Sequence, residues 1–295
     1  MNQIECMSNS IIVTGATGTI GSHAVGVLAQ RGAQVTAVVR DPAKAAQLRA
    51  AGVRLVAASF EDPASLRAAF AGADTVVSIT PANAHGLEQA RASIAAAQAA
   101  GVRRMVRVSA LKASVDGPTD NTRQHGQTEA ALRASGLAYA ILRPHAFFQN
   151  LLASLGTIGS EGKLYFGTGK GRMGMVDTRD VAECVAEAAI DSRFDGETLE
   201  LTGPASIDYD EVASAIAHAL ERPVTYVPVP PEAAGEAVRA YGADEWTAGI
   251  IRDYARAYAA GWGDFTTGEV ARISGHAPRS IDQFARELLV PALRR

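Results

Sequence analysis

The stretch Ile11-Ile-Val-Thr-Gly-Ala-Thr-Gly-Thr-Ile-Gly21 decides the fold of this 295-residue chain. It starts with a run of β-branched residues, which is typical of a buried strand, and continues through three glycines spaced Gly-x-x-Gly-x-x-Gly. Beyond the first glycines, apolar residues recur at helical spacing, at Ile20, Ala24, Val27 and Leu28. A strand, a glycine-rich turn and a helix in this order predict the phosphate-binding turn of a dinucleotide-binding fold.

Each glycine of this turn has a predicted role. Gly15 permits a tight turn, Gly18 lets the backbone approach a pyrophosphate, and Gly21 lets the helix pack closely on the strand. The positive end of the helix dipole then faces the anion. The backbone N–H groups predicted to point at this anion belong to Thr17, Gly18, Thr19 and Ile20.

The first half of the chain repeats a short apolar run followed by an alanine-rich amphipathic stretch. This alternation predicts an α/β fold, a doubly wound parallel Rossmann sheet covered by helices on both faces. The predicted strands are Ser10–Thr14, Gln34–Val39, Val53–Ala57, Thr75–Ile79, Met105–Val108 and Ala138–Leu142. We predict a dinucleotide-binding domain over residues 9–145. A smaller mixed α/β substrate-binding lobe, interleaved with the sheet edge, is predicted over residues 146–295.

The second half of the chain has a less regular pattern. Its predicted helices are Phe147–Leu155, Thr178–Ile190, Tyr209–Leu220, Glu232–Tyr241, Thr247–Tyr258 and Ile281–Leu288, and its predicted strands are Thr198–Leu201 and Val224–Val227. The glycine-rich stretch Gly156–Gly174 is predicted to be a lid or a switching loop. Asp180, followed three residues later by Glu183, resembles a capping box at the start of a helix, so we predict a structural role for it.

Composition and charge restrict the class of protein. The chain is 47% hydrophobic and 20% charged with a formal net charge of −3, which gives no electrostatic argument for nucleic-acid binding. Cys6 and Cys184 are far apart, so neither a disulfide framework nor a metal site is expected. Because no signal peptide and no membrane-spanning apolar run is evident, we expect a cytoplasmic protein. We also expect a small-molecule substrate and a monomer or homodimer.

The end of the second predicted strand distinguishes NAD from NADP. Asp41 could hold a ribose diol, which would favour NAD. However, Asp41-Pro42 predicts a helix N-cap, in which backbone N–H groups occupy the carboxylate, and Asp62-Pro63 predicts a second N-cap of the same kind. Arg40 and Lys44 are then the candidates to bind a 2′-phosphate, the alternative being that both are solvated surface cations. We therefore predict NADPH as the cofactor, with NADH less favoured.

The turn resembles that of extended and atypical short-chain dehydrogenases, and Val13–Gly21 is similar to their NmrA-like branch. Further segments that carry this resemblance are Val39-Arg-Asp-Pro-Ala-Lys44, Gln124-His-Gly-Gln-Thr-Glu129, Ala140-Ile-Leu-Arg-Pro144, Phe148, Asn150 and Asp180-Val-Ala182. The resemblance implies an NAD(P)H-binding protein. It leaves two functions open, because the family contains both reductases and non-catalytic dinucleotide sensors. The reductases are NADPH-dependent and act on quinones, azo dyes and triphenylmethane dyes.

Strand ends at one edge of a doubly wound sheet form the ligand crevice. Ser59 and Phe60, which end the third strand, stand where relatives have residues beside the adenine, although many relatives have aspartate at the Ser59 position. Thr80 and Pro81, which end the fourth strand, are predicted to line the path to the nicotinamide ribose. Pro144, at the end of the last strand, is the remaining predicted cofactor contact.

Typical short-chain dehydrogenases use a tyrosine, a lysine four residues later, and a serine on the preceding strand end. The lysine lowers the pKa of the tyrosine, so that the phenol can give a proton to a carbonyl oxygen. Here Ser109 stands at the serine position and is a candidate catalytic residue, whereas His125 and Glu129 stand where the tyrosine and lysine belong. His125 could be the proton donor, oriented by Glu129, or the two could simply form a polar helix face.

His145 and Phe148, which follow the last predicted strand of the first half, are candidate substrate contacts. His145 stands where relatives commonly have glycine, and it could equally be a hydrogen-bonded polar loop residue. Phe148 is the other candidate, although aromatic residues more often build a core.

Two functions are compatible with these features. The first is an NADPH-dependent reductase that delivers hydride to a flat, quinone-like conjugated or carbonyl acceptor, largely by proximity and orientation. The second is a sensor that binds NADP(H) and acts through a protein partner. The missing tyrosine and lysine favour the sensor. Ser109 and the second lobe favour the reductase, which we predict.

Overall fold

Nine short strands form the sheets of the protein, which a computed structural model describes over residues 10–49 and 52–294. They are β1 (Ser10–Val13), β2 (Gln34–Val39), β3 (Arg54–Ala57), β4 (Thr75–Ser78), β5 (Arg104–Val108), β6 (Ala138–Pro144), β7 (Lys163–Phe166), β8 (Thr198–Leu201) and β9 (Thr225–Pro228). The main sheet has the order β3-β2-β1-β4-β5-β6-β8, and β1 to β6 pair in parallel. This order is that of a doubly wound sheet, so the predicted fold class is confirmed.

Helices follow most strands. They are α1 (Thr19–Gln30), α2 (Ala46–Arg49), α3 (Pro63–Phe70), α4 (Gly86–Ala99), α5 (Asp120–Arg133), α6 (Leu155–Glu161), α7 (Thr178–Ile190), α8 (Tyr209–Leu220), α9 (Pro231–Ala240), α10 (Glu245–Ala259), α11 (Glu269–Ser274), α12 (Ile281–Phe284) and α13 (Val290–Leu293). Short 3₁₀ turns cover Pro42–Ala45, Phe148–Ser154 and Ser192–Phe194, and a π-helical turn covers Ala285–Leu289. Within the described ranges, no helix is both long enough and apolar enough to cross a bilayer.

The residues group into two units, each with its own apolar core. Unit 1 contains the described residues up to Ser109 together with Gln127–Leu142 and Ala182–Leu199, and unit 2 contains Ala110–Gly126, Arg143–Val181 and the residues from Glu200 onward. The core of unit 1 includes Ile12, Phe70, Val76, Met105 and Ile141. The core of unit 2 includes Leu151, Ile158, Val212, Ile216 and Phe284. The division into domains at residue 145 stays a prediction.

Two segments of the second half differ from the sequence prediction. The stretch Gly156–Gly174 is not one long loop, because it contains most of α6 and the strand β7. β7 pairs in parallel with β9, whose residues lie about 60 positions later, and local sequence gives no sign of such a pairing. Thr198–Leu201 is a strand as predicted, but its position next to β6 in the main sheet was not predicted from the sequence.

The predicted capping residues divide into two that are confirmed and one that is wrong. Asp41 accepts a hydrogen bond from the Ala43 N–H at 2.9 Å, and Asp62 accepts one from the Ala64 N–H at 3.1 Å. Asp180 does not cap a helix, because it lies inside the first turn of α7. Its buried carboxylate instead accepts the backbone N–H of Arg279 at 2.7 Å and forms an ion pair with the Arg279 guanidinium.

Candidate active site

The turn between β1 and α1 leaves no room for a side chain at two of its glycines. Gly15 has a φ of 62°, and a Cβ there would lie 2.8 Å from the Ile79 carbonyl oxygen. A Cβ on Gly21 would overlap the Gly15 carbonyl oxygen. The missing side chain of Gly21 therefore allows the start of helix α1 to lie against the backbone of Gly15 in the glycine turn. The sequence had instead predicted that Gly21 allows the helix to pack on the strand.

Helix α1 starts without a side-chain cap. Its N-cap residue is Gly18, which is exposed and has an ordinary φ of −79°. The Gly18 N–H donates to the Gly15 carbonyl at 3.0 Å, so it is not one of the anion donors predicted from the sequence. The N–H groups of Thr17, Thr19 and Ile20 have no hydrogen-bond acceptor among the described residues. Because the helix dipole points its positive end the same way, this turn can bind an anion.

Thr14, which the sequence reasoning did not single out, connects the ends of two neighbouring strands. Its hydroxyl accepts from the Ile79 N–H at 2.9 Å and donates to the Ile79 carbonyl at 3.0 Å. This contact fixes the residue before the phosphate turn to the segment that leads from β4 to Thr80 and Pro81. Thr80 is partly buried and Pro81 is exposed. The only sequence signal for this role is a hydroxyl residue directly before the first glycine.

The end of β2 presents two cations and an occupied carboxylate. Arg40 and Lys44 are both exposed. Arg40 directly precedes Asp41, and Lys44 lies within the 3₁₀ turn that Asp41 caps. Because one Asp41 oxygen accepts the Ala43 N–H, the carboxylate is already engaged in a local hydrogen bond, as the sequence predicted. The two cations are accessible to an anionic ligand such as a 2′-phosphate.

A second carboxylate in this region was missed from the sequence. The Ser59 hydroxyl donates to Glu61, and the Gln89 amide donates to the other Glu61 oxygen at 3.1 Å. The hydrogen bond from Ser59 lowers the pKa of Glu61, and the positive charge of Arg40 contributes to that shift. Phe60 is partly buried and packs against the core of unit 1. The predicted contact of Ser59 and Phe60 with adenine stays a prediction.

Arg107 on β5 is a buried cation that holds Thr80. Its guanidinium donates to the Thr80 hydroxyl at 2.8 Å and to the Ser78 carbonyl at 3.3 Å, and the residue is 2% exposed. Burial lowers the pKa of Arg107 to about 10, and the negative charge of Glu129 opposes that shift. Arg107 therefore stays charged at neutral pH, with a carboxylate nearby to compensate it.

Glu129 is the centre of this buried network. The Ser109 hydroxyl donates to Glu129 Oε1 at 2.6 Å, and Arg133 forms an ion pair with Glu129 Oε2 at 3.1 Å. Glu129 is 1% exposed, and Arg133 also donates to Thr198 at 2.9 Å. The position where a typical relative has lysine thus holds a carboxylate that pairs with arginines. The hydroxyl proton of Ser109 is directed at this carboxylate.

His125 and Pro144 belong to unit 2. His125 lies on α5 and is partly buried, and its predicted role as proton donor stays a prediction. Pro144 is the buried last residue of β6, and its carbonyl accepts the Leu111 N–H at 3.1 Å.

His145 is a buried, neutral histidine with both ring nitrogens hydrogen-bonded. The Ala146 N–H donates to His145 Nδ1 at 2.7 Å, so Nε2 carries the ring proton and donates to the Gly263 carbonyl at 3.0 Å. Burial lowers the pKa of His145 to about 4. This arrangement matches the hydrogen-bonded polar residue that the sequence left open as one alternative.

Phe148 lies in the core of unit 2. It is 1% exposed, and its ring lies 5.6 Å from that of Phe284. It also lines one side of an open cavity of about 510 Å³ together with Ile207, Ala215 and Ile281. The core contacts account for its burial, and its role as a substrate contact stays a prediction.

A doubly wound parallel sheet, with a glycine turn leading into an uncapped helix, defines a Rossmann-type dinucleotide-binding protein. A model of the family described as NAD(P)H-binding matches residues 15–192, and the chain belongs to this family.

The relatives confirm the resemblance found in the sequence. The NAD(P)H azoreductase of Xenophilus azovorans is 33% identical over 279 residues, which cover 94% of this chain and 96% of that protein. The structure of an NADPH-dependent quinone oxidoreductase from Escherichia coli, complexed with NADPH, has a TM-score of 0.87 at 26% identity and covers 94% of this chain and 99% of its own. NmrA, a negative transcriptional regulator in complex with NAD, shares the fold with a TM-score of 0.80 at 17% identity over 97% of each chain.

Proposed function

We propose that this protein is an NADPH-dependent reductase that transfers hydride to a small conjugated or carbonyl acceptor of the quinone or azo type. The observation that carries the proposal is the turn Gly15–Gly21, which leads into a helix whose first N–H groups have no acceptor among the described residues. The similarity to an azoreductase and to a quinone oxidoreductase supports the choice of acceptor.

The residues of unit 1 fit a bound NADPH. A pyrophosphate would accept hydrogen bonds from the backbone N–H groups of Thr17, Thr19 and Ile20. It could approach the backbone closely at Gly18, which is exposed. The 2′-phosphate would be bound by Arg40 and Lys44, since Asp41 is engaged as an N-cap.

Arg40→Ala is expected to weaken NADPH binding by about 10- to 100-fold and to leave NADH binding unchanged, because a charge-assisted contact to the 2′-phosphate is lost. Calorimetric titration with both cofactors measures the difference. Arg67→Ala, which removes an exposed arginine on α3, is the matched control. Equal losses for NADPH and NADH in Arg40→Ala would contradict the assignment.

The chemistry requires one hydride and one proton. Bound NADPH would supply the hydride, which brings both electrons to the acceptor, and a proton then completes the two-electron reduction. Ser109 directs its own proton at Glu129, and Glu129 is held by Arg133, so neither is proposed as the donor. Proximity and orientation of the acceptor then account for most of the rate, with water as the proton source and His125 as the alternative.

His125→Phe is expected to retain most of the turnover rate, because water can replace the imidazole as proton source. The measurement is kcat as a function of pH for a quinone and for an enone, with His85→Phe as control, since His85 is exposed. A general acid contributes about 100-fold or more. A folded His125→Phe protein that loses that much on every acceptor, together with a limb of its pH profile near neutral pH, would establish His125 as the donor.

The proposed function itself is tested by mixing the protein with NADPH and a panel of quinones, azo dyes and enones. Loss of the nicotinamide absorbance that depends on both protein and acceptor is the expected result. Tight NADPH binding without turnover of any acceptor would overturn the proposal in favour of a dinucleotide sensor.

A further inference from the structure

Lys112, in the segment that follows β5, adopts an unusual backbone conformation. Its φ is 44°, in the left-handed region that residues other than glycine rarely adopt. Such a conformation persists only where the surrounding structure holds it, and it is concentrated at functional sites.

Two side chains hold the segment of Lys112. Glu200 accepts the Lys112 backbone N–H at 3.3 Å, and Arg143 donates to the carbonyl of Ala113 at 2.8 Å. Arg143 and Glu200 also form an ion pair at 3.0 Å. The backbone around Lys112 is therefore fixed on both sides, and the direction of its side chain is set.

The side chain of Lys112 lies among aromatic rings. Its Nζ donates to the Trp262 carbonyl at 2.6 Å and lies 4.4 Å from the centre of the Phe265 ring. It is also 5.6 Å from the centre of the Trp262 ring. Ring faces attract a cation, but they do not neutralise its charge.

Within the part of the chain that the structure describes, the Lys112 ammonium has no acidic counter-ion. Among the described residues, no carboxylate forms an ion pair with it, and only one of its three N–H groups has a hydrogen-bond acceptor. The nearby His145 is neutral and stacks on Tyr258 with ring centres 5.7 Å apart. Lys112 is thus a partly buried cation beside flat aromatic surfaces, and two of its ammonium N–H groups remain available as donors. Such a group is suited to bind an aromatic ligand that carries a negative charge.

We propose that Lys112 binds the anionic substituent of a flat aromatic acceptor, so that the protein prefers aryl sulfonates and aryl carboxylates to their uncharged counterparts. This inference rests on the proposed reductase function and names the class of its substrate. Phe265 and Trp262 would contact the ring system while the ammonium neutralises the anion.

The first test compares two acceptors that differ by one sulfonate group, hydroxyazobenzene and its ring-sulfonated derivative, in the wild type, Lys112→Met and Lys112→Arg. We expect Lys112→Met to lower kcat/KM for the sulfonated dye by about 10- to 100-fold, mainly through KM, and to change kcat/KM for the uncharged dye less than about threefold. Lys112→Arg is expected to restore much of the loss. Lys163→Met, at an exposed lysine of β7, is the matched control.

The second test measures binding without turnover. Calorimetric titration compares naphthalenesulfonate with the uncharged naphthalenesulfonamide, in wild type and Lys112→Met, after thermal unfolding has shown that both proteins are folded. We expect the sulfonate to bind more tightly, and only in the protein that has Lys112. Equal binding of the two compounds, or equal losses on both dyes in Lys112→Met, would overturn the inference. Lys112-dependent sulfonate binding without turnover of any dye would support the anion site and overturn the reductase function instead.

Discussion

Gly18→Val is expected to abolish dinucleotide binding while the protein stays folded. The φ of −79° at Gly18 suits valine, and a Cβ there would meet only the Gly15 carbonyl oxygen, at 3.3 Å. The valine side chain would instead occupy the space into which the pyrophosphate must come. We expect the affinity for NADPH and for NADH to fall by about 100-fold or more, as measured by calorimetry.

Gly26→Val is the matched control for this substitution. Gly26 lies on the same helix, α1, and a Cβ there would have no neighbour within 4 Å. Both variants should unfold at similar temperatures, and only the Gly18 variant should lose the cofactor. A folded Gly18→Val protein that binds NADPH with the affinity of the wild type would show that the turn is not the pyrophosphate site.

Glu129→Leu is expected to destabilise the protein by about 3–5 kcal/mol, because it removes the carboxylate that compensates a buried arginine. Arg107 is almost fully buried, and the charge of Glu129 favours its charged form. The leucine also leaves the Ser109 hydroxyl without the acceptor that it has at 2.6 Å. Urea denaturation measures the change in the free energy of unfolding.

Two further variants separate the charge from the hydrogen bond. Ser109→Ala removes only the hydrogen bond to Glu129 and should cost about 1 kcal/mol. Arg107→Met combined with Glu129→Leu removes both charges, and this double variant should be more stable than Glu129→Leu alone. Glu88→Leu, at an exposed position of α4, should have little effect. If Glu129→Leu were no more destabilising than Glu88→Leu, the buried network would contribute nothing to stability.

Features that depend on neighbouring residues could be predicted from the sequence. The glycine turn at Gly15–Gly21, the strands of the first half and the caps at Asp41 and Asp62 all follow from local spacing and backbone chemistry. The exposed cations Arg40 and Lys44 could be found in the same way, since the position at the end of β2 is fixed by the fold. The family could also be predicted from these motifs.

Features that depend on distant residues were decided only by the tertiary structure. The pairing of β7 with β9 and the place of β8 beside β6 join segments far apart in the chain, and local periodicity does not encode a partner. The same limit applies to side chains. From the sequence alone, Glu129 at a lysine position indicates only that a catalytic group is missing. In the structure, Glu129 is a buried counter-ion to Arg107 and Arg133. Lys112 is an ordinary lysine in the sequence, and only folding brings Trp262 and Phe265, about 150 residues later, against its charge.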